Sequence, residues 1–312
     1  MNVQNLVLSG GHIKGISYIG VFKYIEELGL KNKIKNILGV SSGAIFSLMY
    51  CLGLSSSQLE HIILSLSLDD FSNLNTDALF NITKTFGIDS GNKISKIFKI
   101  IIKKILGNDN ATFKDLQQYS NVKLIIAGTN LNTYKCEYFS VDTTPEMPLH
   151  IALRISTSVP IYFNPVLYNN SYYIDAAFSN NFPINYFDDD IKNTMGIVLN
   201  DSEIENSINS LGTYIYMVTN CVMSIMQNHL KNIYIDNTIE LFINYNTLEM
   251  RFDKEIKKNI IDEGYSQFRK CYKSSKFNIN IDKNNLSELD SACEVKTIID
   301  SLQEELNSNT SY

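Results

Sequence analysis

The sequence predicts an α/β fold in which helices cover a central, mostly parallel β-sheet. Two segments carry this prediction, because residues 6–28 and 36–51 each have the order apolar strand, glycine-containing turn, helix. Units of this kind set their strands side by side and parallel, with helices on the faces of the sheet. The chain has 312 residues, of which 44% are hydrophobic, so it can bury both faces of such a sheet.

The first unit begins with the apolar run 6–8 and turns at the glycine pair 10–11. Apolar residues then recur at every third position from 16 to 28, which is typical of a helix, and Gly29 ends it. The remaining pattern predicts strands at 36–40, 122–128, 171–174, 195–199 and 239–243, and helices at 42–51, 93–106, 147–158, 208–234 and 253–272.

Two segments depart from this α/β pattern. Residues 69–110 are richer in Asn, Asp, Ser and Thr and carry one basic, apolar helix, so we predict an inserted helical cap. From residue 282 the chain becomes polar and acidic, which predicts a loosely packed appendage over 282–312. No repeat or clear linker divides the rest, so residues 1–281 are predicted to form the main, catalytic domain.

Composition excludes some classes of protein and favours a location. The formal net charge of −6 gives no global basic field for nucleic acid. The five cysteines are odd in number, widely spaced and without a C-x-x-C pair, which indicates reduced thiols in a reducing compartment. The N-terminus has no signal-peptide pattern, and the most apolar later segment, 214–226, is too interrupted to span a bilayer. We therefore expect a cytoplasmic protein that is at most peripheral to membranes.

The segment 39–43, Gly-Val-Ser-Ser-Gly, has the pattern G-x-S-x-G between a predicted strand and a predicted helix. A sharp turn there lifts the hydroxyl of Ser41 above the sheet, and the small residues Gly39 and Gly43 let the backbone bend. The following helix points its positive N-terminus at the serine, which favours a developing negative charge. Ser41 is therefore a candidate nucleophile. The pentapeptide alone is equally consistent with a turn that merely begins a helix.

The glycine-rich loop 9–15 lies between the first strand and the first helix. Such a loop leaves backbone N–H groups unpaired, and in an acyl hydrolase these groups hold the tetrahedral oxyanion. A phosphate-binding loop is the alternative. The spacing matches neither G-x-G-x-x-G nor the Walker pattern, which argues against a nucleotide site.

Asp175 ends the apolar strand 171–174 and precedes two alanines. A carboxylate in this place can be held in a cleft and accept the proton of Ser41 as a general base. A turn-forming or helix-capping aspartate is the more ordinary interpretation of the same residue in isolation.

Taken together and in order, four segments resemble the patatin-like phospholipase family. Residues 6–15 resemble its G-G-G-x-[KR]-G loop, and 39–43 match its nucleophile turn. Residues 152–165 are similar to its A-x-R-A-S-x-S-x-P run, and 175–177 resemble its D-G-[GA] motif. The resemblance covers residues 6–183, and it implies a three-layer α/β/α fold.

The resemblance also implies the chemistry of a Ser–Asp dyad that works without histidine, metal or cofactor. Ser41 would be the nucleophile and Asp175 its base, and the backbone amides of Gly10, Gly11 and His12 would form the oxyanion hole. The implied activity is calcium-independent hydrolysis of the fatty acyl esters of phospholipids or lysophospholipids.

Two residues depart from the family pattern. His12 replaces the third glycine of the loop, and Ala176 replaces the glycine after the aspartate. The backbone N–H groups survive both changes, but a positive φ at either position would cost about 1 kcal/mol or more. Lys14 and Gly15 match the rest of the loop motif; Lys14 has no assigned role, and a solvated or packed side chain at the helix start is the ordinary alternative.

Three alternatives remain open. The motifs leave the lipid head group undetermined, so a broad esterase or neutral-lipid lipase is possible, and so is a catalytically silent lipid-binding scaffold, given His12 and Ala176. A Ser–Asp–His triad has one formal candidate, His229, which lies within a helical pattern instead of a loop. The oligomeric state is undetermined.

Residues 93–106 are strongly basic and apolar within an acidic chain. As a helix this segment could lie transiently on a membrane with Ile97, Phe98, Ile101 and Ile105 downward. The alternative, which we favour, is a cap helix whose apolar stripe packs on its own domain.

Overall fold

The computed structural model describes residues 3–67, 70–71, 82–201, 207–245, 253–277 and 292–307. The strands within these residues are β1 (Asn5–Leu8), β2 (Asn36–Gly39), β3 (Gly87–Asp89), β4 (Lys123–Asn130), β5 (Lys135–Ser140), β6 (Ile161–Phe163), β7 (Val166–Tyr168), β8 (Ser171–Asp175), β9 (Thr194–Asp201) and β10 (Thr238–Ile243). The α-helices are α1 (Ser17–Glu27), α2 (Ser42–Cys51), α3 (Ser56–Ser65), α4 (Asn92–Leu106), α5 (Phe113–Tyr119), α6 (Leu149–Ser156), α7 (Ala177–Asn180), α8 (Leu211–Ile233), α9 (Lys254–Ser274) and α10 (Ala292–Asn307).

The main sheet has the strand order β10-β9-β1-β2-β4-β8-β7, and β5 also pairs with β4. The five strands from β10 to β4 are parallel, while β5, β7 and β8 are antiparallel to their neighbours. The predicted α/β fold with a mostly parallel sheet is therefore confirmed.

Both faces of the parallel part of this sheet are buried, which explains the apolar runs in β1, β2, β4 and β9. Along β1, Leu6 and Leu8 belong to one core cluster, whereas Val7 belongs to the other. The first cluster includes residues of α1, α2 and α9, and the second includes Met223 and Leu230 of α8. Helices, sheet and helices therefore form the three layers that the family resemblance implied.

The described part of the predicted cap, residues 70–71 and 82–110, contains β3 and α4. β3 pairs with β6 in a separate two-stranded sheet, and α4 contacts α6 and α10. Residues 69 and 72–81 of the predicted cap lie outside the described residues. Whether 69–110 is a distinct insertion stays a prediction.

The C-terminal segment differs from the loosely packed appendage that its charge suggested. Residues 292–307 form α10, which packs on α3 and α4. Ile298 and Leu302 of this helix are 2% and 1% exposed and belong to the first core cluster. The prediction considered the acidic composition and overlooked the apolar spacing of four residues, which gives one face of a helix. Residues 282–291 and 308–312 lie outside the described residues.

None of the described helices combines the length and hydropathy that a membrane span requires. Cys51, Cys136, Cys221 and Cys271 carry free thiols.

Candidate active site

The register of β4 brings two distant parts of the chain together. β5 pairs with residues 125–130 of β4, so β2 and β8 share the opposite edge of that strand. There Gly39 of β2 lies opposite Ile126, and Asp175 of β8 lies opposite Gly128, two residues farther along. The turn that follows β2 therefore meets the end of β8, which places Ser41 and Asp175 at adjoining strand ends.

Ser41 occupies the sharp turn between β2 and α2. Its backbone has φ 52° and ψ −122°, a conformation that costs energy in a residue with a Cβ and is expected at a nucleophile turn. The Ser41 N–H donates to Oγ of Ser156 at 3.0 Å, which ties the turn to α6. The residue is 6% exposed and caps the N-terminus of α2, whose dipole favours negative charge on the serine oxygen.

Close packing requires the two glycines of this turn. A Cβ on Gly39 would lie 2.4 Å from the carbonyl oxygen of Gly43, and one on Gly43 would lie 2.4 Å from that of Leu8. Neither glycine has a positive φ. The pattern G-x-S-x-G thus lets α2 approach β1 and β2 closely, with the serine carrying the strained backbone.

Asp175 is fully buried at the end of β8. Its Oδ1 accepts the N–H of Ala177 at 2.9 Å, and its Oδ2 makes no hydrogen bond to any residue that the structure describes. Burial raises the pKa of Asp175 to about 7, while the Ala177 N–H and the nearby Ser41 hydroxyl act in the opposite direction. A carboxylate with one unused oxygen and a pKa near neutrality is suited to accept a proton.

The backbone N–H groups of the first glycine turn differ in whether they already donate a hydrogen bond within the protein. The Gly10 N–H donates to Oδ1 and the carbonyl oxygen of Asn181, at 3.1 and 3.4 Å, and the Gly11 N–H donates to Oγ of Ser42 at 3.1 Å. The His12 N–H makes no hydrogen bond to a described residue. Of the three predicted oxyanion donors, two are therefore engaged with hydrogen-bond acceptors of the protein.

The two departures from the family pattern have opposite consequences for the backbone. His12 has φ 51°, in the left-handed region that favours glycine, so its side chain costs about 1 kcal/mol there. Ala176 has φ −63° and ψ −22°, which any residue adopts. Burial, and to a lesser extent Lys14, lower the pKa of the His12 ring to about 4, so the imidazole is neutral at neutral pH.

Lys14 and Gly15 complete the loop motif in structural positions. Lys14 is 4% exposed, and its Nζ lies 2.5 Å from Oδ1 of Asp201 at the end of β9. A Cβ on Gly15 would lie 2.5 Å from the side chain of Ser42. Lys14 is therefore packed at the helix start, as the ordinary alternative had it, and its ammonium group is paired there instead of solvated.

A cavity of about 270 Å³ lies beside Ser41. Its polar lining residues are few, and His12, Ser41, Ser42 and Thr157 are among them. The rest are apolar side chains of α2, α3 and α4 and of neighbouring segments: Ile13, Ile16, Ile45, Phe46, Met49, Leu59, Ile62, Ile63, Leu66, Phe71, Ile94, Ile97, Phe98, Ile101, Val159 and Phe163. The apolar stripe of α4 thus faces the interior of its own domain, which is the alternative that we favoured for residues 93–106.

The segment 152–165, which is similar to the family run, contains a buried cation, Arg154. The guanidinium group of Arg154 on α6 donates to Oγ of Ser158 at 2.5 Å and to the carbonyl oxygens of Ser90 and Asn164 at 3.0 and 3.2 Å. These bonds hold the segment between β3 and α4 against the helix that also supports Ser41.

Sequence reasoning missed two residues beside the site, Asn181 and Gln227. Nδ2 of Asn181 donates to Oε1 of Gln227 on α8 at 2.5 Å, and Nε2 of Gln227 donates to Oδ1 of Asn200 at 3.0 Å. These residues link the Gly10 amide to α8 and β9. The Asn-Asn-Phe-Pro segment after Asp175 was visible in the sequence, but nothing there connected it with a glutamine 46 residues later.

His229 lies on the exposed side of α8, and neither oxygen of Asp175 bonds to it. Within the described part of the chain, no group of three or more His, Cys, Asp and Glu side chains is arranged to hold a metal ion.

Comparisons with known proteins agree with this architecture. The family model for patatin-like phospholipases matches residues 6–188. The chain belongs to the patatin-like phospholipase family. It is 30% identical over 267 residues to the uncharacterised protein R571 of Acanthamoeba polyphaga mimivirus, covering 82% of this chain and 88% of the relative. A "probable lipid hydrolase", 463L of invertebrate iridescent virus 6, is 32% identical over 184 residues, covering 58% and 62% of the two chains.

A solved structure shares the fold of this patatin-like chain. VipD from Legionella pneumophila superposes with a TM-score of 0.58 at 16% identity, covering 98% of this chain and 75% of VipD. Family membership makes the protein a lipid hydrolase by class.

Proposed function

We propose that this patatin-like protein hydrolyses the fatty acyl esters of phospholipids or lysophospholipids, with Ser41 as nucleophile and Asp175 as general base. The observation that carries the proposal is the adjacency of Ser41 and Asp175, with Ser41 lining an apolar cavity. An apolar cavity of this kind favours a fatty acyl chain over a polar substrate. Because the Asp175 pKa is about 7, a large fraction of the carboxylate is available at neutral pH.

In the first half of the cycle, Asp175 takes the proton of the Ser41 hydroxyl as the serine oxygen attacks the ester carbonyl carbon. The His12 amide and the Gly11 amide, which exchanges Oγ of Ser42 for the substrate oxygen, stabilise the oxyanion. Collapse expels the alcohol, which takes the proton from Asp175. A fatty acyl ester of Ser41 remains.

In the second half, Asp175 removes a proton from water, and the resulting hydroxide attacks the acyl-enzyme carbonyl. The Ser41 oxygen leaves, takes up the proton and releases the fatty acid. No metal enters this cycle, so we expect a chelator to leave the rate unchanged.

Mass spectrometry of the products from mixed phospholipid vesicles tests this proposal. We expect free fatty acid and lysophospholipid from the wild type, and neither product from Ser41→Ala or Asp175→Asn. His229→Ala is the control and should retain its activity; a loss there would instead favour a triad. Equal product formation by wild type and Ser41→Ala would refute the proposal, and a silent wild type would favour the scaffold alternative.

A further inference from the structure

An ordinary surface helix buries its apolar stripe and exposes its polar side. Helix α8 has the reverse arrangement. Three of its five buried residues are polar, namely Thr213, Thr219 and Gln227. Its outward residues are mainly apolar and strongly exposed: Leu211 74%, Tyr214 51%, Val218 46%, Val222 41%, Ile225 66%, Met226 42% and Ile233 56%.

This apolar face is long and extends beyond the helix. Its 23 residues span about 34 Å at the usual rise of an α-helix. Ile208 before the helix and Ile235 after it are 62% and 67% exposed. Exposed apolar residues along the whole length of a helix mark a contact site for another molecule or for lipid.

The inward side of α8 contacts the candidate active site. The ring of Tyr216 lies 6.3 Å from that of His12, centroid to centroid, and His12 lines the cavity beside Ser41. Gln227 is bonded to Asn181, which in turn is bonded to the Gly10 amide. The exposed face of α8 is therefore the outer side of a helix whose inner side packs beside the catalytic loop.

The charge of this face agrees with a lipid surface as its occupant. None of the 33 acidic residues of the chain lies between 211 and 233, so no carboxylate on the helix opposes a phosphate-bearing surface. Its one lysine, Lys231, is bonded to Glu240 at 2.6 Å. Because the face is apolar and almost uncharged, its attraction to lipid depends on burial of apolar surface and little on salt.

We propose that the outward face of α8 is the surface by which this protein docks onto phospholipid aggregates, with zwitterionic lipid sufficing. The choice of lipid over a protein partner rests on the proposed function, which makes aggregated phospholipid the substrate beside this helix. Docking through α8 sets the catalytic loop against the lipid from which the acyl chain is drawn.

Co-sedimentation with phosphatidylcholine vesicles tests the proposal on the full chain. The test variant is Val222→Asp with Ile225→Asp, and the matched control is Leu167→Asp, which changes a 60% exposed leucine on β7, outside α8. We expect the test variant to partition at least about tenfold more weakly than wild type, and the control to match wild type. Raising the salt from about 0.1 M to about 0.5 M should change wild-type binding less than about twofold.

Activity readouts separate docking from chemistry. The test variant should lose hydrolysis of vesicle lipid in proportion to binding, and it should hydrolyse a soluble short-chain ester at the wild-type rate. Unchanged vesicle binding in the test variant would overturn the proposal. It would also be overturned by a wild type that ignores vesicles and forms a dimer that the variant dissociates, since the face would then join two copies. A wild type that binds vesicles through α8 but cleaves no ester would support docking and contradict the proposed function.

Discussion

Helices α4 and α8 are both rich in apolar residues, but they turn those residues in opposite directions. In α4, Ile97, Phe98 and Ile101 are at most 3% exposed and line the cavity beside Ser41, while Lys103 and Lys104 face solvent. In α8, Thr219 and Gln227 face inward and Ile225 faces solvent. The apolar side of the basic helix, whose sequence suggests membrane contact, is thus buried in the protein. The exposed apolar surface lies instead on α8, a helix with little charge.

This difference shows what a sequence pattern leaves undetermined. A period of 3.6 residues reveals that a helix has an apolar stripe, but not whether the stripe meets the core or solvent. The partners of α4 include α6 and α10, which are distant in sequence. The structure therefore predicts opposite responses to matched substitutions in the two helices.

The largest difference between the two helices should be in how much a substitution lowers the stability of the protein. Phe98→Ala removes a ring that is 2% exposed, so we expect a loss of about 3–5 kcal/mol in the free energy of unfolding. Ile225→Ala trims a side chain that is 66% exposed and should change this free energy by no more than about 0.5 kcal/mol. Urea unfolding followed by circular dichroism measures both. Similar losses for the two variants would contradict the orientation of either helix.

Of the two helices, only α4 should affect the preference of the enzyme for the acyl chain length of its substrate. Ile94→Phe adds volume within the cavity, so we expect kcat/KM for a long-chain ester to fall about tenfold or more relative to a short-chain ester. Ile225→Phe adds the same group on the outside of α8 and should leave that ratio unchanged. Steady-state rates on soluble esters of increasing acyl length provide the measurement. A ratio that ignores Ile94→Phe would mean that the acyl chain lies elsewhere.

The pH dependence should be common to all variants of both helices, because it belongs to Asp175. The base must be a carboxylate, and burial raises its pKa to about 7. The kcat/KM for a soluble ester should therefore be constant well above pH 7 and fall about tenfold per unit below it. Rate profiles of wild type and Ile225→Asp should coincide in their midpoint. A midpoint near the ordinary aspartate value, in either protein, would contradict a raised pKa of Asp175.

Substitutions on the two sides of α8 should differ in their effect on kcat. This is the smallest of the expected effects. Gln227→Leu removes the support of Asn181, so the Gly10 loop is held less firmly and kcat should fall about three- to tenfold with KM nearly unchanged. His229→Ala, two residues farther on the exposed side, should leave both constants as they are. Gln227→Glu keeps the acceptor for Asn181 and should restore part of the rate. A fall in thermal stability alone, without loss of kcat, would make Gln227 merely structural.

Much of the fold and part of the site could be predicted from local sequence. The strand–turn–helix units and the segment 39–43 depend on residues that are neighbours in the chain, and β1, β2 and α2 form where they were expected. The sequence identified His12 and Ala176 as positions where a positive φ would cost energy, and the structure has a positive φ at His12 alone of the two. These features follow from short-range geometry.

Other features depend on contacts between distant segments. That β8 pairs beside β2 on β4, which brings Asp175 to Ser41, is set by strand register and not by any local pattern. The links from Asn181 to Gln227 and from α10 to α3 likewise join residues far apart in the chain. Only the family resemblance gave advance notice of the first of these.

Covalent labelling tests the central account, in which Ser41 is activated by Asp175, most directly. Intact-protein mass spectrometry after treatment with a fluorophosphonate measures the adduct on each variant. We expect one adduct on wild type, located at Ser41 by peptide mapping, none on Ser41→Ala, and labelling at least about a hundredfold slower on Asp175→Asn. An adduct that persists on Ser41→Ala, or labelling of Asp175→Asn at the wild-type rate, would contradict the account.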